Sequence, residues 1–172
     1  MAESLRIRKY GDRVLRVKGE TVEEFTSELE ALFERMERTM IAARGVGLAA
    51  PQIGISKQIA IMNPDPEDGT KLIRMINPRI VLCSDETVKI EEGCLSVPGV
   101  RGDVERPACV TVVYQDERGK EHRLEAEGML ARIAQHELDH LNGVLFIDRL
   151  SFAKRSLIKA KLRTLAGDGK ET

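Results

Sequence analysis

The sequence predicts an α+β fold in which antiparallel sheets pack around a central helix, with one helix before it and one after it. Three well-separated segments carry apolar residues at helical spacing. The segments between them are short, β-branched and broken by turn residues, and they do not alternate regularly with helices. That order argues against a parallel sheet. The central helix carries a His-Glu-x-x-His pattern, so we expect it to bind a metal ion.

The composition is that of an ordinary globular chain. With 172 residues we expect one domain over residues 1–166 and a disordered tail over residues 167–172. The formal net charge of −1 gives no overall attraction to nucleic acid or to a membrane. No signal-peptide core is visible and no stretch approaches the ~20 apolar residues of a membrane span, so we expect a cytoplasmic protein. Three cysteines in a reducing compartment argue against a disulfide framework.

The first predicted helix runs from about Ser27 to Ala43. Residues 4–20 before it mix apolar and basic side chains with glycines, which indicates an extended arm with turns. Ser27 and Glu30 match a capping box. The helix is expected to bury an apolar stripe made of Leu29, Leu32, Phe33, Met36, Met40 and Ala43.

The first motif, residues 45–52, reads Gly-Val-Gly-Leu-Ala-Ala-Pro-Gln. It matches a dinucleotide-binding fingerprint superficially, but that fingerprint needs a strand before it and a helix after it. Here a helix precedes it, and Pro51 would stop a new helix from propagating. We therefore reject the nucleotide interpretation and predict a loop whose glycines let a substrate backbone approach closely.

The middle of the chain predicts strands joined by turns. Strands are expected over residues 57–62, 71–76, 79–83 and 87–90, with turns at residues 63–69 and at Asn77-Pro78. Residues 91–99 contain the second motif, Glu-Gly-Cys-Leu-Ser, in a small and turn-rich segment. Residues 110–114 and 121–127 are expected to form a hairpin around a turn at residues 116–119.

The central helix is predicted over residues 128–142, and it contains the third motif, Gln-His-Glu-Leu-Asp-His. His136 and His140 lie one turn apart on one face, so both imidazoles can reach one ion. Glu137 lies about 100° around the helix from His136, beside the ion rather than on it, where a general base for water belongs. The flanking residues are apolar, and burying two histidines among them would be costly without a metal or another partner.

A catalytic site of this kind needs a third protein ligand and an open position for water. Cys94 is the strongest candidate, because a thiolate suits a soft or borderline metal. Asp148 is the alternative ligand, and it would indicate a metal-dependent endopeptidase. Binding by both residues would indicate a closed, structural site.

The other residues able to ligate a metal are weaker candidates. His122 lies in the charged hairpin and is expected to face solvent. Asp168 and Glu171 lie in the predicted tail. Cys83 and Cys109 have apolar neighbours and are expected to be small core residues.

The three motifs, in this order, closely resemble those of the peptide deformylases, and the resemblance covers nearly the whole chain. It implies a hydrolase that removes the formyl group from the N-terminal formyl-methionine of newly made polypeptides and releases formate. It implies that Glu137 is the general base and acid, and that the Gln52 side chain and the Leu95 backbone N–H form the oxyanion hole. The implied metal ligands are Cys94, His136 and His140.

The resemblance also implies a cofactor and a substrate pocket. The expected ion is ferrous iron, Fe2+, with Zn2+, Ni2+ or Co2+ able to occupy the site. The implied substrate-binding residues are Gly45, Val46, Gly47, Ile90, Gly93, Met129, Arg132 and Ile133. Arg132 departs from an apolar pocket wall and is expected only at its rim. Arg106 is similar to a family arginine that pairs with Glu92, and the alternative is a surface ion pair.

The last predicted helix runs from a cap at Ser151 to about Ala166. Its expected buried stripe consists of Leu157, Ile158, Leu162 and Leu165. Five basic residues lie on it with no acidic residue over residues 152–166: Lys154, Arg155, Lys159, Lys161 and Arg163. This face is either simply solvated or a docking surface for the ribosome, as the corresponding helix is in some relatives. The family resemblance implies a monomer.

Overall fold

A computed structural model of the chain describes residues 5–65 and 72–168. The helices are α1 (Ser27–Ala42), α2 (Gly128–Leu141) and α3 (Phe152–Asp168). The strands are β1 (Gly47–Ala49), β2 (Ile59–Met62), β3 (Ile73–Cys83), β4 (Thr87–Cys94), β5 (Val97–Pro107), β6 (Cys109–Gln115) and β7 (Glu121–Glu127). Short 3-10 helices span Arg13–Arg16, Ala50–Ile53 and Phe146–Arg149. The strands pair antiparallel, which confirms the predicted α+β class.

Helices α1 and α2 lie on opposite faces of a five-stranded sheet with the strand order β1-β2-β3-β6-β7. Strand β2 contacts both helices, because successive side chains of a strand point to opposite faces. Ile59 and Ile61 pack in one cluster with Phe33 of α1, whereas Ala60 and Met62 pack in the cluster that includes α2. All of β2 is buried. The helix that carries the third motif therefore lies on a sheet that is packed from both sides.

Helices α1 and α2 form close to their predicted limits, each ending one residue earlier than expected. The predicted capping box does not form, because the N-cap of α1 is Thr26 and its side chain makes no cap hydrogen bond. Gly143 follows α2 with a φ of 73°, the left-handed conformation in which glycine ends many helices.

The predicted turn at Asn77-Pro78 is instead a bulge within one long strand, β3. The pairing of β3 with β6 shifts register between Ile76 and Arg79, and Asn77 has a φ of 51°. A bulge tolerates proline, which cannot donate to the ladder. The Asn77 side chain donates to Gln115 Oε1 at 2.8 Å and so ties the bulge to β6. The other predicted turn, at residues 63–69, falls mostly on residues 66–71, outside the described part of the chain.

Strands β4 and β5 form a separate two-stranded sheet. The sequence predicts a strand only over residues 87–90, but β4 continues to Cys94, and β5 follows in a segment where no strand is predicted. Alternate residues of β5 are buried, and they pack with Phe146 and Leu150 in a third hydrophobic cluster. Cys94 lies at the tip of this hairpin, next to α2.

Helix α3 runs to Asp168, two residues beyond its predicted end, so the predicted tail is helical at its start. The rest of that tail, residues 169–172, lies outside the described residues. Ile158, Leu162 and Leu165 pack against the third cluster as expected. Leu157 is wrongly assigned to the buried stripe, because it is 81% exposed and faces away from that cluster.

Cys83 and Cys109 are exposed, contrary to the prediction that they belong to the core. They lie at the end of β3 and at the start of β6, where Leu82 of β3 is exposed as well. Apolar neighbours in sequence therefore do not bury a residue at the end of a strand. In the described part of the chain, no helix is long and apolar enough to cross a membrane.

Candidate metal centre and active site

Helix α2 and the tip of the β4–β5 hairpin bring three possible ligands together. The ligand atoms of Cys94, His136 and His140 all lie within 4.8 Å of one another. Cys94 Sγ lies 3.2 Å from His140 Nε2, which lies 3.2 Å from His136 Nε2. The helical spacing thus places the two imidazoles as the sequence predicts, and the hairpin supplies the cysteine.

The donor set fits a metal ion. A thiolate and two imidazole nitrogens that point at one place repel each other unless they share a cation. Burial alone would raise the pKa of the Cys94 thiol, but the two imidazoles hold it well below its ordinary value. Burial likewise opposes a charged His136, but the Cys94 and Glu92 side chains raise its pKa well above its ordinary value. The centre of the site therefore favours positive charge, which a divalent ion would supply.

A buried carboxylate fixes the orientation of the first histidine. Glu92 Oε2 lies 3.0 Å from His136 Nδ1, so the Nδ1–H donates to Glu92 and the Nε2 lone pair faces the ligand cluster. Arg106 donates to both oxygens of Glu92, at 2.6 and 2.9 Å, and Arg132 donates at 2.9 Å. Burial would raise the pKa of Glu92, but the hydrogen bonds and charges of Arg106 and His136 hold it far below its ordinary range. Glu92 is thus kept ionised while it is only 6% exposed.

The Arg106–Glu92 pair is buried, so the alternative of a surface ion pair is wrong. Arg106 also donates to Asp139 Oδ2 at 2.7 Å, and Arg149 donates to both oxygens of the same carboxylate. The two arginines therefore link β5, α2 and the 3-10 helix at Phe146–Arg149. The whole network lies behind the histidines.

Arg132 does not merely rim the pocket, contrary to the expectation from the sequence. Its side chain is 6% exposed, and besides Glu92 it donates to the carbonyl oxygens of Val88 and Val104, at 2.6 and 2.8 Å. These carbonyls belong to β4 and β5. Arg132 lies one turn before His136 on the same face of α2, so its guanidinium reaches the hairpin instead of the solvent.

Glu137 lies against the first motif. It is 4% exposed, and its Oε2 atom is buried without a hydrogen-bond partner among the described residues. A Cβ atom on Gly47 would clash with the Glu137 carboxyl group, so this glycine makes room for the acid. Burial raises the pKa of Glu137 to about 7. An ionisable group of this kind, with an unpartnered oxygen, is suited to exchange a proton with water or substrate.

The two groups predicted to form the oxyanion hole lie beside the cysteine. Gln52 Oε1 accepts from Ala49 N at 2.9 Å, which turns the Gln52 Nε2 amide towards Cys94 Sγ, 3.6 Å away, and Ser96 Oγ, 3.2 Å away. Gln52 is buried, and Leu95 is half-buried at the tip of the hairpin. The first and second motifs therefore meet at the ligand cluster.

A cleft of about 890 Å³ opens onto this site. Val46 and Met129 lie at its mouth, 40% and 54% exposed, and Ile133 lies deeper, 4% exposed. The cleft contacts the predicted substrate-binding residues, which are Gly45, Val46, Gly47, Ile90, Gly93, Met129, Arg132 and Ile133. Its shape and apolar wall can hold an extended side chain beside Glu137.

Asp148, the alternative third ligand, is bound to residues outside the ligand cluster. Asp148 forms an ion pair with Arg16 and accepts from Leu145 N at 2.9 Å. His122 lies 2.7 Å from Asp116 Oδ2 in the β6–β7 hairpin, away from the cluster. The Asp168 side chain and Glu171 lie outside what the structure describes.

Sequence reasoning missed the second role of Arg132 and the part played by Asp139 and Arg149. The signal was present, because an arginine and an aspartate interrupt the apolar face of a buried helix. Charged residues in such positions are expected to have buried partners.

Comparisons with known proteins agree on one family. A family model described as polypeptide deformylase matches residues 4–156. The peptide deformylase of Halothermothrix orenii is 51% identical over 146 residues, covering 85% of this chain and 93% of that protein. The crystal structure of the Plasmodium falciparum peptide deformylase is 41% identical with a TM-score of 0.92, covering 96% of this chain and 98% of the other. The crystal structure of the Thermus thermophilus peptide deformylase is 41% identical with a TM-score of 0.89, covering 96% of this chain and 99% of the other. These comparisons do not support the alternative of a metal-dependent endopeptidase.

Replacing Arg132 tests the buried network. Arg132→Met leaves the buried Glu92 carboxylate short of a donor and removes the Arg132 hydrogen bonds to two backbone carbonyls, so we expect a loss of about 3–5 kcal/mol in the free energy of unfolding. We also expect metal affinity to fall by about 10–100-fold, as for other residues that orient a ligand. Denaturant unfolding and competition with a chelator measure the two effects.

Arg101→Met is the matched control, because Arg101 pairs with Glu91 in solvent, with side chains 64% and 57% exposed. Its loss should cost about 0–1 kcal/mol. Equal effects of the two substitutions would contradict the role given to Arg132.

Proposed function

The chain belongs to the polypeptide deformylase family and removes the formyl group from the N-terminal formyl-methionine of new polypeptides, and we propose that the cluster around Glu137 carries out this reaction. One observation supports the proposal above the others. A buried acid with an unpartnered oxygen lies beside three convergent ligand atoms at the end of an open cleft. The proposed catalytic domain comprises residues 1–166.

We assign metal binding to Cys94, His136 and His140. A divalent ion held there supplies Lewis acidity, which lowers the pKa of a water molecule and polarises a carbonyl group. The donor set suits iron, zinc, nickel and cobalt. We propose ferrous iron as the physiological ion, in line with the family resemblance.

The chain's own residues move the protons. Glu137 takes a proton from the attacking water, whose oxygen bonds to the formyl carbon. The bond between that carbon and the methionine nitrogen then breaks, and Glu137 gives its proton to the leaving amine. Formate and a free amino terminus are the products.

Two donors stabilise the charge that develops on the formyl oxygen. The Gln52 Nε2–H lies beside Cys94 Sγ and the Leu95 N–H directly follows Cys94 in the chain, and we propose that both face that oxygen. One such donor is typically worth about 3 kcal/mol of barrier. The methionine side chain would lie in the cleft against Ile133 and Met129.

We place the enzyme in the cytoplasm, as a monomer. The three cysteines are free thiols, which fits a reducing compartment. The substrates proposed here are also made in that compartment.

Replacing Glu137 separates chemistry from metal binding. Glu137→Gln keeps the shape and removes the base, so we expect the metal content to persist while kcat falls by about 10²–10⁴-fold. Formate release from a formyl-methionine tripeptide, with anaerobically prepared ferrous enzyme, measures turnover. Glu125→Gln, an exposed acid on β7, is the matched control and should leave kcat unchanged. Full turnover by Glu137→Gln with metal bound would exclude Glu137 as the base.

The pH dependence should show one essential base on the acid side. The carboxylate form of Glu137 is required, and it is lost as the pH falls through its folded pKa of about 7. A bound cation favours the carboxylate, so we expect the midpoint of the acid limb of kcat/KM to lie below that value. Steady-state rates between about pH 5 and 9 measure the limb. Activity that rises as the pH falls through this range would contradict the assignment.

We propose that α3 docks on the ribosome through its basic face. Phe152 and Leu157 are 87% and 81% exposed beside that face. Lys161 is committed to the carbonyl oxygen of Gly99, but Arg155, Lys159 and Arg163 are exposed. Such a surface suits RNA phosphates together with an apolar contact.

Neutralising that face tests docking. Replacing Arg155, Lys159 and Arg163 by glutamine should reduce co-sedimentation with ribosomes and make its salt dependence shallower. Formate release from a short peptide should stay unchanged, because these residues lie outside the cleft. Unchanged co-sedimentation would show that the basic face is merely solvated.

A further inference from the structure

We infer that residues 8–10 of the N-terminal arm act as a strap that holds the two halves of the oxyanion hole together, and that Lys9 is a positioning residue for the reaction. This inference rests on the proposed function, because the groups that the strap holds are the ones assigned there to the oxyanion hole.

The arm binds the two segments that carry the oxyanion donors. The backbone N–H of Arg8 donates to the carbonyl oxygen of Gln52 at 2.7 Å. The backbone N–H of Tyr10, two residues later, donates to the carbonyl oxygen of Ser96 at 2.8 Å. The same short, extended segment therefore spans from the first motif to the second.

The second motif spans two packing units. The Leu95 side chain packs with the 3-10 helix Ala50–Ile53 in the cluster beneath α1, whereas Cys94 and Val97 pack in the cluster of β5 and α3. A small shift between the two units would turn the backbone at Leu95 relative to the Gln52 amide. A misplacement of about 1 Å can cost about 10²-fold in rate, so a connection that prevents it matters to catalysis.

Lys9 makes the third contact of the strap, and it is the one with a charged donor. Its Nζ donates to the carbonyl oxygen of Leu95 at 2.7 Å, and its side chain lines the cleft. Lys9 forms no ion pair within residues 5–65 and 72–168. A half-buried ammonium group without a carboxylate is costly, and a charged donor binds a carbonyl more strongly than a neutral one.

Together these bonds limit how the Leu95 N–H can turn. Lys9 holds the carbonyl of Leu95, and Tyr10 holds the carbonyl of Ser96. The Ser96 N–H donates to Cys94 Sγ at 3.4 Å. The bonds from Lys9 and Tyr10 fix the two peptide groups that follow Leu95, and the pairing of Cys94 with Val97 holds the residue before it. The Leu95 N–H belongs to the peptide group between Cys94 and Leu95, so its freedom to turn is limited.

Lys9→Met tests the strap, because methionine keeps an unbranched apolar stem and removes the donor. We expect kcat for formate release to fall at least about tenfold, with KM changed less than about twofold and metal content unchanged. Lys9→Arg retains a charged donor and should recover most of kcat. Lys18→Met, at an exposed lysine further along the same region, is the matched control and should leave both constants unchanged.

Hydrogen exchange gives a readout that does not depend on turnover. The amides of residues 94–97 should exchange faster in Lys9→Met, while those of α2 stay protected. Unchanged kcat, or unchanged exchange, would overturn the inference. A raised KM with kcat intact would make Lys9 a substrate-binding residue instead, and loss of metal would make it a support for Cys94. If the wild-type enzyme released no formate, that result would contradict the proposed function. It can be told apart from a failure of the strap, which concerns only the Lys9 variants.

Discussion

The contact of the Glu92 carboxylate with His136 is the interaction on which the rest of the site depends. It joins β4 to α2 at the point where the cysteine and the histidines must meet. A buried carboxylate is costly unless it is paired and fully hydrogen-bonded. Arg106 and Arg132 provide this pairing, and each of them also binds a second element of the fold. Removing the charge at this one position would therefore loosen the hairpin and the helix together.

The fold supplies rigidity to this contact from the other side. Helix α2 packs on a sheet whose strand β2 is buried on both faces. Moving the helix away from the hairpin would therefore expose part of the hydrophobic core. Gly47, at the edge strand of that sheet, leaves space for the Glu137 carboxyl group. The acid is thus placed by the sheet, whereas Cys94 is placed by the hairpin. The active site forms where these two units meet, and that makes their relative position a condition for catalysis.

Sequence periodicity predicted α1 and α2 to within a residue or two, because both have a strong apolar stripe on a long helix. Thiolate chemistry made Cys94 the strongest candidate for the third ligand, and the family resemblance implied its convergence with the two histidines, since a contact across 42 residues leaves no local pattern. Strand β5 was missed because glycine, proline and charged residues mask its alternation, which appears only once its valines are buried. An arginine in a buried helix indicates that it has buried partners, but the identity of the partners of Arg132 could not be predicted, for a similar reason. Its partners are two backbone carbonyls and a carboxylate of a distant hairpin, and none of them is visible in the sequence of α2.

The two arginines act on the site through the charge state of Glu92. A carboxylate this deeply buried would otherwise favour its neutral form, because burial raises its pKa. Arg106 donates to both of its oxygens and Arg132 donates to Oε1, while Oε2 lies 3.0 Å from His136 Nδ1. The ionised carboxylate accepts from the Nδ1–H, so it holds His136 in the tautomer whose Nε2 lone pair faces the ligand cluster, and it raises the pKa of that imidazole. A pair of buried guanidinium groups thus sets the orientation of a metal ligand through the carboxylate that they hold.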